Sequence, residues 1–360
     1  MYGTHSILDQ LSLIRNQTAI EYGETRLADD FGRFIAAQNL IVDQMTSELV
    51  EPTDVRLTSY GIGARMDMIR ADEFTRADAQ KMKPTTADIG FPLDLFQITL
   101  QWTRRFLMVA SVADLAVAMQ GVREADLRRV RLELQRAFFK NTNDLTYVDR
   151  FIDGVTLPIR ALYNADSAPI PEDEFGNTFN GATHTHYVGY ASGAVAAADI
   201  NTLITNVVEH GVSGNVRLYI NRANEAAITG FANFIRYPQP LTEPGPGSTA
   251  DRNVAGTRLQ PWNIYNRAIG TWNGEVEVWV KPWVIANYVV ALDIDPANRV
   301  LRWRRRAATG NGALRLVADD EKYPLRAETS EREFGVSVWS RSKAAVLYTG
   351  GTSYVMPTIA

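Results

Sequence analysis

Residues 273–293, NGEVEVWVKPWVIANYVVALD, commit this chain to a sheet. Asn273-Gly274 is a two-residue hairpin signal, because both residue types tolerate the positive φ that such a turn demands. Val276, Val278 and Val280 then share one strand face, with Glu275, Glu277 and Trp279 on the other. Lys281-Pro282 breaks the ladder, since proline has no N–H to donate. Tyr288–Leu292 resumes as a nearly unbroken apolar run, suited to a strand covered on both faces. Such a strand needs a large core around it, and 360 residues supply one, with length alone suggesting two or three domains.

Composition narrows the function. A hydrophobic content of 46% with 22% charged residues is that of a folded soluble protein. The absence of cysteine excludes disulfides, thiolate catalysis and cysteine-based zinc sites. A formal net charge of −4 argues against a dedicated nucleic-acid-binding domain, which would be basic. Arginine outnumbers lysine 31 to 6; a GC-rich genome explains part of this skew, and the planar guanidinium fork also suits protein–protein contacts. The longest membrane candidate, Trp283–Leu292, falls far short of the ~20 residues of a spanning helix. The start, MYGTHSILDQLSLIRNQ, lacks a signal peptide's basic and apolar regions, so synthesis and retention in a cytoplasm are expected.

Along the chain, Leu27, Phe31, Phe34, Ile35, Ile41, Val42, Met45 and Leu49 recur at helical spacing between Thr25 and Leu49. This predicts an arm helix whose apolar face is only partly self-sufficient. From 53 to 102 the period becomes two, which predicts a long hairpin. Its polar tip, within 72–90, holds only Phe74, Met82 and Ile89 as anchors and is expected to order on assembly. A capping box at Ser111-x-x-Asp114 opens a helix that Gly121 is expected to end, and a longer helix follows over 122–140. In it Leu127, Val130, Leu134, Ala137 and Phe138 form the buried stripe, with Arg123, Arg129, Glu133 and Arg136 on the remainder. Residues 144–190 read as loop or small strands. An α/β unit comes next: a helix capped by Asp199, the strand Asn215–Ile220, and a helix capped by Asn221. The Pro- and Gly-rich 237–256 reads as a flexible loop.

Catalytic signatures are missing. The chain has no GxxxxGK[ST] loop, and GPGSTADRN lacks the lysine of a phosphate cradle. GYASG at 189–193 has the wrong spacing for a nucleophile elbow. His184 and His186 lie on one side of an extended segment, a geometry open to a divalent metal, with Glu172, Asp173 or Glu174 as carboxylate. No third ligand stands at diagnostic spacing, and two partly exposed strand histidines are the plainer reading. His5 and His210 read as incidental, His210 suiting a helix C-terminus. Catalytic, cofactor and metal sites are therefore all expected to be none. The basic run RWRRRA places Arg302, Arg304, Arg305 and Arg306 around Trp303. Pairing with acidic residues of a neighbour, or with Asp319, Asp320 and Glu321 of the same chain, ranks ahead of nucleic-acid contact.

The order of parts carries the remaining signal. GEVEVWVKPWVIANYVVALD, EREFGVSVWSRSKAAVLYTGG and DINTLITNVVEHGVSGNVRLYINRANEAAI resemble the corresponding segments of tailed-bacteriophage major capsid proteins with the Hong Kong 97 fold. The resemblance implies an α+β chain divided into an N-terminal helical arm (1–54), an extended E-loop hairpin (55–102) and a peripheral domain (103–190) with spine helix 122–140. An axial domain (191–321) and closing peripheral strands (322–360) would complete it. It also implies a self-assembling, non-enzymatic icosahedral shell of pentamers and hexamers around double-stranded DNA, built in the host cytoplasm. Scaffolding, portal and decoration proteins would be partners, and DNA would be touched weakly and without sequence preference. The expected inter-subunit contacts are Arg70, Arg76, Asp78, Lys81, Lys83, Phe31 and Phe34. Some members cross-link an E-loop lysine to a peripheral-domain asparagine, but 322–360 contains no asparagine, so a non-covalent shell is expected. The alternatives are an encapsulin-type nanocompartment shell and a metal-dependent enzyme using His184 and His186.

Overall fold

The computed structural model describes residues 18–62, 68, 70, 85–150, 152–173, 176–211, 214–237, 266–322 and 325–359. Two sheets share one core. A seven-stranded sheet runs in the order β7 (Tyr187–Gly189), β16 (Ala344–Tyr348), β12 (Tyr288–Asp293), β8 (Val216–Ile220), β11 (Val276–Val280), β10 (Arg267–Trp272) and β9 (Phe234–Arg236). In a five-stranded sheet β1 (Val50–Thr53) pairs β13 (Leu301–Arg304), which pairs the 14-residue β15 (Leu325–Val338). β14 (Arg315–Lys322) and β4 (Asp94–Thr103) also pair β15.

The segment at 273–293 behaves as its pattern requires. Asn273 and Gly274 both take positive φ, 52° and 79°, closing the β10–β11 hairpin. Val276, Val278 and Val280 are buried, while Glu277 and Trp279 are half-buried. Every residue of β12 is buried, between β8 and β16. Its Val289 and Ala291 face Ile200, Leu203 and Val207 of the helix Ala197–Val208. Tyr288, Val290 and Leu292 join the main core with Phe138, Phe139 and Trp283. Trp283, just past the Lys281-Pro282 break, is 1% exposed and stacks on Phe138 with ring centroids 5.0 Å apart.

The spine helix is longer than its sequence suggests. Val112–Phe139 is one 28-residue helix, about 42 Å by the 1.5 Å rise, and Gly121 lies inside it. A mid-helix glycine costs only about 1 kcal/mol, and burial of Leu115, Met119, Val122 and Val130 on either side outweighs that. The Ser111–Asp114 capping box is present in both directions. Glu133, expected on the solvated face, is buried between Arg129 and Arg136. Asp199 sits three residues inside its helix, and its carboxylate accepts from the Ala191 and Ala196 N–H groups.

The arm helix Glu24–Thr46 follows a short helix, Ala19–Tyr22. Val42 and Leu49 enter the main core, whereas Leu40 is 58% exposed. The hairpin base pairs β2 (Leu57–Ile62) with β3 (Thr85–Gly90). Residues 85–90 therefore have intrachain partners, against the expectation that all of 72–90 awaits assembly. Ala87 and Ile89 are buried, and Leu157 on β6 (Thr156–Ile159) closes over Gly90. The axial loop expected at 237–256 lies outside the described residues except for Tyr237. The expected division at 322 is also revised. β13 and β14, placed in 191–321, belong to the five-stranded sheet, and β16, placed in 322–360, is inserted beside β12 in the seven-stranded one. The chain crosses between the sheets after β12 and again after β15, because both sheets line the same core. Among the described residues no helix is long and apolar enough to cross a membrane.

Candidate assembly surfaces and a histidine cluster

A buried polar node fixes how the arm leaves the core. Arg332 on β15 makes two hydrogen bonds to the Asp126 carboxylate of the spine helix, at 2.7 and 3.0 Å. Gln38 of the arm donates to the same carboxylate at 2.8 Å, and the Asn39 side-chain oxygen accepts from Arg332 at 2.9 Å. Arm, spine and sheet thus meet through a charge pair whose lone pairs and N–H groups are largely satisfied, the condition for burying one.

The basic run is also used within the chain. Arg304, 2% exposed, donates to Asp149 at 2.7 Å and to the Phe91 carbonyl at 2.8 Å. Arg302 pairs Glu51 at 3.1 Å and lies over Trp339, and Arg306 pairs Glu333. Trp303 is buried and stacks on Phe334. The described partners are therefore Glu51, Asp149 and Glu333, the side chains of Asp319, Asp320 and Glu321 lie outside the description, and only Arg305 of the four has no such role described. The alternation of a strand puts Arg304 on the same face as Arg302. The second layer formed by Asp149 is invisible in sequence.

Of the expected contact residues, Arg70 is exposed, while Arg76, Asp78, Lys81 and Lys83 lie outside the described residues. Phe31 is engaged within the chain, packing with Leu27 and Leu100 against Trp102 and Leu115. Phe34 is half-buried. Exposed apolar side chains gather elsewhere: Phe106, Met108 and Val109 ahead of the spine helix, Val117 on it, and Leu145, Val148, Ile152 and Val155 on the β5–β6 hairpin (β5, Asp144–Val148). The sequence reading allowed small strands here, and the exposure of their apolar side chains is what only the fold shows.

The histidines gather more closely than sequence suggested. His184 and His186 lead into β7, and Glu209 and His210 follow the C-terminal end of the helix Ala197–Val208. The Nε2 atoms are 3.0 Å apart for His184–His186, 2.9 Å for His184–His210 and 3.1 Å for His186–His210. Glu209 Oε1 lies 3.6 Å from His184 Nε2 and 3.8 Å from His210 Nε2. Burial holds all three imidazoles below their ordinary value, His210 at about 4 and His186 well down. Backbone bonds fix His186 on both sides: its N–H donates to Tyr163 O at 2.7 Å, and its carbonyl accepts from Val346 at 2.8 Å. The candidate carboxylates Glu172 and Asp173 are not part of the cluster, and Glu174 lies outside the described residues.

Close by, Arg341 donates to Asp166 at 2.9 Å, and Arg160 and Asn143 donate to it at 3.2 and 2.7 Å. Burial pushes the Asp166 carboxyl up, but the Arg341 charge and these hydrogen bonds outweigh it and hold the group below the usual aspartate value of 3.8. A carboxylate depressed on folding stabilises fully above its unfolded value, and that stability is lost as pH falls through the lower folded value. Asp166→Asn is expected to destabilise the unassembled chain by about 3 kcal/mol at pH 7, since it leaves the buried Arg341 guanidinium without its counter-charge. The gap from the parent should shrink as pH falls below 3.8. Urea unfolding of both proteins across pH 7 to 3 checks this; a gap that stays constant contradicts it.

No protein-family model matches the chain, and no curated protein does. Among solved structures, a chain of Mycobacterium phage Patience is 22% identical, with a TM-score of 0.70 over 97% of this chain and 94% of that one. Two others are a capsid of a native GTA particle, 14% identical (TM-score 0.47, covering 86% and 90%), and the cyanophage A-1(L) capsid asymmetric unit, 12% identical (TM-score 0.47, covering 86% and 92%). The fold is α+β and of the tailed-phage capsid type. It is the Hong Kong 97-like arrangement of arm, extended hairpin, spine helix and two sheets.

Proposed function

We propose that this chain is the major capsid protein of a tailed bacteriophage, assembling as pentamers and hexamers into an icosahedral head shell around double-stranded DNA. The observation that carries the reading is the end-to-end likeness to the phage Patience chain, 97% against 94%. The exposed apolar groups at Phe106, Met108 and Val109 and on the β5–β6 hairpin support it, because grouped apolar side chains mark surfaces that another subunit covers. Arg70, Arg76, Asp78, Lys81 and Lys83 are the proposed ion-pairing contacts of the E-loop, and Phe34 of the arm. Lys81 and Lys83 have no asparagine to meet in 322–360, so the shell is held without covalent cross-links. The virion capsid is its location; scaffolding, portal and decoration proteins are its proposed partners, and DNA contact is weak.

Expression of the full chain should give capsomers or closed particles in sedimentation and negative-stain microscopy. A stable monomer at high concentration would overturn the reading. Boiled denaturing gels of native particles should show one band near 40.1 kDa, whereas a ladder of multimers would overturn the non-covalent shell. Nuclease-protected DNA inside native particles is expected, and an enzyme cargo in its place would make the shell a nanocompartment.

A further inference from the structure

A neutral imidazole has one ring N–H and one lone pair. His186, fully buried, places Nδ1 2.6 Å from the Ala344 carbonyl oxygen, so its N–H is there and its Nε2 presents a lone pair. That lone pair faces the Nε2 atoms of His184 and His210, themselves 2.9 Å apart. No placement of protons resolves this triangle. If His184 and His210 both carry Nε2–H, two N–H groups face each other. If either lacks it, two lone pairs do. The Glu209 Oε1 atom beside them is buried and has no hydrogen-bond partner.

A cation removes the conflict. A point about 2.0–2.1 Å from all three nitrogens lies roughly 1 Å off their plane, so the triangle forms three corners of a tetrahedron. Glu209 Oε1, 3.6 and 3.8 Å from two corners, stands beside the fourth. We propose that His184, His186, His210 and Glu209 bind a divalent first-row metal ion, zinc being the one this borderline donor set suits best. The site is structural. With four protein donors no position is left open for a substrate or an activated water, as a catalytic zinc requires. Phe179, with its ring 4.3 Å from that of His210 and 5.2 Å from that of His184, and Tyr163, 5.5 Å from His186, wall the donors with aromatic surface. The ion ties the end of the helix Ala197–Val208 to β7, an edge strand of the seven-stranded sheet and one of its shortest.

The test uses the full chain, stripped with EDTA and titrated with zinc or cobalt(II) chloride. About one zinc per chain should survive gel filtration, with Tm raised by about 4 °C at a hundredfold excess over Kd. Cobalt(II) should give visible absorption of tetrahedral intensity. His210→Ala should lose the ion, the shift and the spectrum. His184→Gln does the same at a side chain 15% exposed, and so carries the test if His210→Ala fails to fold. A parent that retains no zinc, or variants that retain it as the parent does, would overturn the site. None of these outcomes depends on whether particles form.

Discussion

Trp283→Ala should remove about 3–5 kcal/mol from the unassembled chain, the range for truncating a buried aromatic to alanine. That is a large part of the ~5–15 kcal/mol a domain has in total. Trp283 is 1% exposed, stacks on Phe138, and lies against Phe139 and Tyr219 with centroids 6.4 and 5.7 Å away. It therefore joins spine helix, β8 and the strand break at Lys281-Pro282. Trp279→Ala, four residues earlier and half-buried beneath Arg217 and Lys281, should cost less than half as much. Urea midpoints of the two variants measure the difference, and equal losses would mean that the core is not centred on Trp283.

Replacing residues 65–83 by a short Gly/Ser linker should leave the fold intact and reduce assembly at least tenfold. Apart from Met68 and Arg70, the replaced residues lie outside the described ones. The last rungs below them, Gly61↔Thr86 and Ile62↔Thr85, place both ends side by side, so a short connection closes the ribbon. The segment is largely polar, with Met66, Met68, Ile69, Phe74 and Met82 as its large apolar side chains. Its own burial cannot repay the roughly 1–2 kcal/mol per residue of backbone ordering. On the proposed function a neighbouring subunit would supply the contacts, through Arg70, Arg76, Asp78, Lys81 and Lys83. Circular dichroism and the urea midpoint should match the parent, while sedimentation shows free capsomers or monomers. Normal assembly of the shortened chain would mean that these residues do not hold subunits together.

What was legible in the sequence was local. The two-residue period of 276–280, the turn at Asn273-Gly274 and the capping box at Ser111 all act within a few residues, and each appears where the pattern placed it. Gly121 misled because its cost is small beside the burial of Leu115, Met119 and Val122, which only tertiary contacts reveal. Asp126 and Arg332, 206 residues apart, carry no mark of partnership in the sequence. The histidine cluster shows the same limit more sharply. His184 and His186 were visible as a pair, but His210 reached them only because a helix and a short strand lie side by side. A spacing of 24 residues has no meaning until that packing exists.

β15 and β16 are among the last strands to be synthesised, yet they occupy the middle of what they join. β15 is paired by β4 along ten residues from Asp94 to Thr103, and β16 lies between β12 and β7. A growing chain on the ribosome therefore holds the arm, hairpin and spine helix with their main partners still missing. The contacts of the Arg332 node, which set the arm's direction, also wait for β15. The arm therefore takes up its direction only after translation has passed β15.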